Sequence, residues 1–332
     1  MSALKVDGRD IIVIGTSAGG LEALDGLIGQ LPAGLPASIF IVQHMAPENT
    51  GDALLDRLGR NKAFKCKIAV NATSFKAGEV YIAPADSHLL LKKAKLIVTK
   101  GARENRYRPA VDPLFRSAAV AHGPRVIGVV LTGMLDDGTA GLIAIKKCGG
   151  VTVVQDPKDA AYPDMPLSAV NNMKVDHCLP LAAMGPLLEK LTCQHPGKAN
   201  SVPADIQTEA IIAERVVSDV EKVNALGVPV PYNCPNCGGV LWEMNNPDLL
   251  RYRCHTGHSF TASALLTGQN EKIEETLWVS LRMFEEHKTP LNNMTQKASG
   301  PHSKSSYLQR AKDTQVHVDR IRAMILTPGS SP

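Results

Sequence analysis

Aromatic residues are scarce in this 332-residue chain. The 6 Phe, 6 Tyr and 2 Trp are too few for the stacking platforms on which single-strand nucleic-acid binders lay out bases. No apolar run approaches the length that spans a bilayer, and Met1 to Asp10 is too polar for the core of a signal peptide. Membrane insertion is therefore not expected, and a cytoplasmic location is. An excess of one charge is also missing. The 36 Lys and Arg against 32 Asp and Glu leave a formal +4, too mild to mark a nucleic-acid binder. The 7 cysteines bunch only at Cys234, Cys237 and Cys254, which speaks against a disulfide framework and for reduced thiols with a metal site. What remains, 44% hydrophobic and 20% charged residues, is globular, with length for about two domains.

Between residues 10 and 195 short β-rich runs alternate with helical ones. Asp10 to Gly15, Ser38 to His44, Arg125 to Leu131 and Val151 to Val154 are apolar runs. Leu21, Leu24, Leu27 and Ile28, the stretch near Asp52 to Leu58, and Ala140 to Cys148 carry helical spacing. Apolar strands separated by amphipathic helices predict an α/β fold with a doubly wound, mainly parallel sheet. Glu79 to Ala83, His88 to Leu91 and Leu96 to Thr99 depart from that rhythm and read as an antiparallel hairpin insertion. We divide the chain into a catalytic domain at 8–193, a linker at 194–204 rich in Pro, Gly, Ser and Asn, and one helix at 205–228 that Gly227 and Pro229 stop. A cysteine module at 229–262 follows, then a helical region at 263–326. There, stripes at Ile273, Leu277, Leu281 and Phe284 and at Leu308, Ala311, Val318, Ile321 and Ile325 flank a connector, Gly300 to Ser306.

Gly15-Thr-Ser-Ala-Gly-Gly20 lies between a strand and a helix, where open α/β sheets place ligands and reactive groups. Gly15-x-Ser17-x-Gly19 has the spacing of a nucleophile elbow, whose small residues let the serine oxygen project. A dinucleotide loop would need Gly at position 17, and the Lys-Ser/Thr ending of a phosphate loop is missing; a binding or purely structural turn competes evenly with a catalytic serine. A serine needs a base, and the base needs an orienting group. His44 ends the second strand, and Asp136 and Asp137 follow the strand ending at Leu131. Either aspartate could equally cap the next helix. Ser, His and Asp at three strand ends nevertheless form a constellation.

Gly15 to Gly20, Ile41 to Met45, Val80 to Pro84 with Asp86 and His88 to Leu90, Arg108-Pro109, Val111-Asp112 with Leu114 to Ser117, and Leu131 to Met134 with Asp137-Gly138 resemble, in order, the catalytic domain of the chemotaxis protein-glutamate methylesterases (CheB-type). The resemblance covers roughly residues 8 to 192. It implies a Ser17, His44, Asp137 triad, selecting Asp137 over Asp136, which is left as a surface or capping residue. It further implies hydrolysis of glutamyl methyl esters on the cytoplasmic helices of methylated chemoreceptors, with glutamine deamidation as a related activity and no cofactor for catalysis. The amide of Ala18, just after the nucleophile, is the expected oxyanion donor, with Met134 beside it by resemblance. Arg106 and Arg108, in the polar stretch Arg103 to Pro109, are candidate substrate-binding residues suited to acidic receptor helices. An ordinary solvated loop is the alternative. Tyr162 to Pro166 resembles a family loop at the rim of the site. Typical members open with a receiver domain, and this chain is expected to be a form lacking it, controlled by its tail or by another protein.

The tail holds Cys234-Pro-Asn-Cys237, sixteen intervening residues, then Cys254-His-Thr-Gly-His258. Three thiolates and an imidazole at this spacing suit a closed, tetrahedral, structural Zn2+. His255 is an alternative fourth ligand, and the Gly257-His258 pair resembles zinc-ribbon appendages on some stand-alone members of the family. Arg251 and Arg253 make nucleic acid a rival partner for this module, but protein docking through the flanking helices is the favoured reading. The competing function is a non-catalytic scaffold or regulator that binds receptor helices, with the zinc module contacting protein or nucleic acid.

Overall fold

Ile11, Ile12, Val13 and Ile14 are all buried, and alternate members enter two different apolar clusters. A strand buried on both faces belongs to a parallel sheet covered by helices on each side. The computed structural model describes residues 8–216, 219–246 and 248–326 and has that architecture. Its first elements are β1 (Ile11–Thr16), α1 (Gly20–Gln30), β2 (Ser38–Gln43), α2 (Asp52–Gly59), β3 (Lys65–Ile68), β4 (Glu79–Ile82), β5 (His88–Lys92) and β6 (Lys95–Thr99). There follow α3 (Val111–His122), β7 (Val126–Val130), α4 (Thr139–Lys147), β8 (Val151–Gln155), α5 (Asp164–Asn172), β9 (His177–Leu179) and α6 (Leu181–Thr192). The remainder comprises α7 (Ala204–Arg215), α8 (Val220–Leu226), β10 (Gly227–Asn233), β11 (Val240–Met244), β12 (Arg251–Cys254), β13 (Ser259–Thr261), α9 (Ala262–Lys297) and α10 (Pro301–Leu326).

The main sheet is seven-stranded in the order β3-β4-β2-β1-β7-β8-β9, and every pairing in it is parallel. The chain runs outward from β1 in both directions, so the crevice at the carboxyl end of β1 is a topological switch point. Val13, Phe40, Val42, Phe115 and Val130 pack on one face; Ile12, Ile14, Leu24, Ile39 and Val129 pack on the other.

β5 and β6 form the expected two-stranded antiparallel hairpin. Glu79 to Ala83 does not belong to it. These residues supply β4, a parallel strand between β3 and β2, where both faces are covered: Val80 and Ile82 enter one apolar cluster and Tyr81 and Ala83 the other. The single helix expected over 205–228 is instead α7 and α8. Val216 adopts φ 69 at the end of α7, and Asp219 begins a new helix by accepting from the Lys222 amide at 2.8 Å. Val217 lies outside the described residues.

One compact unit extends to Leu265 and a second begins at Leu266. The first includes the cysteine module, a four-stranded antiparallel sheet in the order β10-β11-β12-β13 over a small core of Leu241, Tyr252, Phe260 and Leu265. The second contains most of α9 and all of α10, joined by the Phe284–His317 stack (5.2 Å between centroids) and the Arg322–Glu285 ion pair (2.8 Å). Pro301 opens α10, as proline does at a first helical position, so most of the expected connector is helical. No helix among the described residues is long and apolar enough to cross a membrane.

Phe40 is fully buried, and its ring packs on Phe75 and Tyr81. Phe40→Ala should cost about 3–5 kcal/mol, read as a lowered urea midpoint at unchanged slope.

Candidate active site

The parallel register pairs Thr16 with Gln43, so Ser17 and His44 leave the sheet at the same level on neighbouring strands. The turn after β1 is tight for steric reasons. A Cβ on Gly15 would sit 2.3 Å from a Val111 methyl, and Gly19 takes φ 73 before α1, the left-handed region that favours glycine. The Ser17 amide donates to the Thr132 carbonyl at 3.0 Å, and a Cβ on Gly133 would meet Ser17 Cβ at 2.8 Å. The loop after β7 thus lies directly against the serine. Gln43 Nε2 donates to the carbonyls of Ser17 (2.7 Å) and His44 (3.0 Å), tying the two turns together.

His44 is buried, its Nε2 lies 2.7 Å from Asp137 Oδ2, and its Nδ1 is buried without a protein partner. A carboxylate only accepts, so Nε2 carries the proton and Nδ1 offers its lone pair. The Tyr107 ring stacks on the imidazole at 3.7 Å between centroids. Ser17, Ala18, His44, Met45, Arg103 and Arg106 line one cavity of about 500 Å3.

Asp137 is 1% exposed. Oδ2 also accepts from the Val111 amide (2.6 Å), and Oδ1 accepts from Asn105 Nδ2 (2.9 Å) and the amides of Asp112 (3.2 Å) and Gly138 (3.0 Å). Burial pushes its pKa up, but the hydrogen bond and charge of His44 and these donors outweigh that and hold it below the ordinary aspartate value. Asp112, also fully buried, accepts from Asn105 Nδ2 at 2.8 Å and the Gly141 amide at 2.7 Å. Burial and the neighbouring Asp137 push Asp112 up to about 7. Asp136 is no surface residue. It is 8% exposed and accepts from Thr261 Oγ1 of β13 at 2.5 Å, and burial raises it to about 6.

Arg251 and Arg253, offered by the sequence to nucleic acid, are 3% and 0% exposed. They join Glu104, Arg116 and Glu209 in a buried ion cluster. Arg251 forks onto Glu209 at 2.9 and 2.8 Å, Arg253 Nη2 reaches Glu209 (2.8 Å) and Glu104 (3.1 Å), and Arg116 Nη2 meets both Glu104 oxygens at 2.8 Å. The cluster joins α3, α7 and β12. Burial alone would raise Glu104, but Arg116 and Arg253 bring it down to about 2.

Arg106 lines the cavity at φ 75. Arg108 also lines it, but its guanidinium is engaged with Asp86 (2.9 and 2.5 Å) and the Gly101 carbonyl (2.8 Å). Met134 is half exposed, next to Gly133. Tyr162 braces that loop: its carbonyl accepts from the Gly133 amide (2.9 Å), and its amide donates to Thr132 Oγ1 (2.8 Å). Sequence reasoning passed over Asn105, Tyr107 and Glu104, all in the stretch read only as a basic loop. The one available signal was an Asn able to sit in the left-handed region, where Asn105 has φ 48.

Cys234, Cys237, Cys254 and His258 bring their ligand atoms within 4.8 Å of one another. The Cys237–Cys254 sulfur separation is 3.7 Å, and Cys254 Sγ lies 3.5 Å from His258 Nδ1. Tetrahedral Zn2+ with bonds of about 2.3 Å to sulfur and 2.0–2.1 Å to nitrogen requires edges close to these, so the donor set fits that ion. His255 turns instead toward the Trp242 ring, 6.5 Å between centroids.

A seven-stranded parallel sheet wound outward from β1, with Ser17, His44 and Asp137 beyond its strand ends, defines a doubly wound α/β protein. The family described as CheB methylesterase matches residues 12–188, and the chain belongs to it. A "protein-glutamate methylesterase/protein-glutamine glutaminase 2" of Methanosarcina mazei is 38% identical over 195 residues, 56% of this chain and 53% of that protein. A "putative protein-glutamate methylesterase/protein-glutamine glutaminase" of Leptospira interrogans is 39% identical over 185 residues, 55% of this chain and 94% of that one. The crystal structure of the Thermotoga maritima CheB methylesterase catalytic domain aligns with TM-score 0.53 and 38% identity, covering 55% of this chain and 98% of that one. The chain spans about half the length of several of the curated relatives it matches.

Glu104 contributes stability in the direction of a depressed acid. It is fully present above the unfolded value of 4.5 and lost as pH falls toward the folded value of about 2. Glu104→Gln should cost about 3–5 kcal/mol at pH 7 by leaving the buried guanidiniums of Arg116, Arg251 and Arg253 with the single carboxylate of Glu209. It should also flatten the stability curve below pH 4.5, measured as urea midpoint against pH.

Proposed function

We propose that this protein is a protein-glutamate methylesterase of chemosensory signalling, with glutamine deamidation as a second activity. The observation that carries the reading is His44, anchored to Asp137 through Nε2 while its buried, unpartnered Nδ1 shares a cavity with Ser17. Ser17 Oγ attacks the ester carbonyl and its proton passes to Nδ1. Negative charge gathers on the former carbonyl oxygen, where the Ala18 amide is the natural donor and that of Met134 the second. Collapse expels methoxide, which takes the proton from Nδ1 and leaves as methanol. Water then attacks the acyl-serine by the same route and frees the glutamate carboxylate. Asp137 stays ionised throughout and stabilises the imidazolium. With glutamine, ammonia leaves in place of methanol.

Exposed Arg103 and half-buried Arg106 at the cavity suit the acidic cytoplasmic helices of a methylated receptor. Arg108, held by Asp86, shapes the loop more than it meets substrate. Cys234, Cys237, Cys254 and His258 hold a structural Zn2+; with all four positions taken by protein, the ion supplies rigidity to the ribbon. The helices α9 and α10 serve as a docking region for a protein partner, and the burial of Arg251 and Arg253 speaks against nucleic acid.

Ser17→Ala should lower methanol release from methylated receptor by roughly 10^4-fold or more at an unchanged urea midpoint. Turnover near that of the parent protein would refute the nucleophile. Elemental analysis should find about one Zn2+ per chain, falling to background in Cys237→Ser.

A further inference from the structure

We propose that the metal-binding ribbon completes the active site: β13 holds Asn105 so that it positions Asp137, and loss of the metal uncouples Asp137 from His44. The proposal rests on the hydrolase reading for its activity assay and on the geometry for everything else. Asn105 is 2% exposed, and its groups divide between two masters. Toward the ribbon, its amide donates to the Ser259 carbonyl (2.7 Å) and its Oδ1 accepts from the Thr261 amide (3.1 Å). Toward the active site, its Nδ2 donates to Asp137 Oδ1 (2.9 Å) and Asp112 Oδ2 (2.8 Å). The ribbon contacts decide which end of the carboxamide faces the two carboxylates. Reversed, it would set its oxygen against both.

The same stretch of loop carries Tyr107, stacked on His44, so both partners of the histidine–aspartate pair lean on it. A second tie runs from Thr261 Oγ1 to Asp136, the residue before Asp137. The ligands Cys254 and His258 close the turn between β12 and β13, where the Cys254 amide donates to the His258 carbonyl at 2.9 Å. The hairpin that binds metal at its turn therefore carries Ser259 directly after the ligand His258, and Thr261 two residues further along β13. With a core of seven buried residues, two of them the ligands Cys234 and Cys254, the ribbon depends on the ion for its order. Asn105 is thus a positioning residue. It touches neither substrate nor serine.

The test uses the full chain loaded with Zn2+, stripped by chelator and reloaded, together with Asn105→Gly, which tolerates φ 48 and keeps the amide bond to Ser259. Two readouts are needed: kcat and KM for methanol release, and the downfield proton resonance of the His44–Asp137 hydrogen bond. Asn105→Gly should lower kcat about 10- to 100-fold, the scale of a displaced catalytic group, with KM within about twofold, and should broaden or lose the resonance. Chelation should do the same to the parent protein, add little to the variant, and be reversed by Zn2+ alone only in the parent. Asn105→Asp serves as the second variant. It keeps the left-handed backbone and the Thr261 contact but turns a carboxylate on Asp137 and Asp112, and should be at least as impaired. Stripped parent protein that keeps both kcat and the resonance overturns the proposal, as does a full, independent loss when the variant is stripped. If the loaded parent protein hydrolyses no methyl ester, the hydrolase reading fails, and the dependence of the resonance on Zn2+ still decides this one.

Discussion

A carboxylate with 1% of its surface in contact with solvent must find its donors inside the protein, and the rest of this structure is arranged around that requirement at Asp137. An isolated buried anion would take up a proton, and a neutral acid in its place would stabilise an imidazolium far less. The donors come from distant stretches: His44 after β2, Asn105 in the long loop before α3, and the amides of Val111 and Asp112 at the start of α3. The helix start adds its partial positive charge to theirs. Asp112 stands close by; burial and the charge of Asp137 push it up, while Asp137, though equally buried, has the hydrogen bond and charge of His44 to hold it down.

The same economy governs the ion cluster of Glu104, Glu209, Arg116, Arg251 and Arg253. Removing such groups from water is costly, and the mutual attraction offsets the cost only when geometry is good and remaining donors are met. Here forked contacts at 2.8–2.9 Å supply that geometry, while Nε of Arg116, Arg251 and Arg253 is buried without a hydrogen-bond partner. What the cluster provides beyond any net stability is register. Its charges come from α3, α7, β12 and the loop of Glu104, and they pair only if the ribbon sits in one place on the α/β domain. The ribbon is consequently part of the first compact unit.

Much of this was legible along the chain. Four apolar runs and their helices announced a parallel sheet, and the positions of Ser17 and His44 followed from where those runs stop, whereas Asp137 was singled out from Asp136 only by the family resemblance. The cysteine spacing announced the gathering of Cys234, Cys237, Cys254 and His258 into a group able to hold a metal, because ligand geometry is local. Strand direction was less accessible: Val80, Tyr81 and Ile82 have the same apolar pattern in a parallel core strand as in a hairpin. The break at Val216 is a single backbone angle, with Asp219 free to cap a new helix. Asn105 and the buried arginines were out of reach for a different reason. A polar residue reads as solvent-exposed unless its partner is known, and these partners lie up to 156 positions away.

The loop at Glu104 pairs in parallel with Ser259, on the side of β13 that β12 does not occupy. An unpaired strand border is an invitation to self-association, and in the assembled molecule this one is covered by the chain's own backbone. A ribbon prised away would bare that border together with the guanidiniums of Arg251 and Arg253. Clumping and loss of solubility are therefore the natural fate of molecules in which the two halves of the first unit come apart.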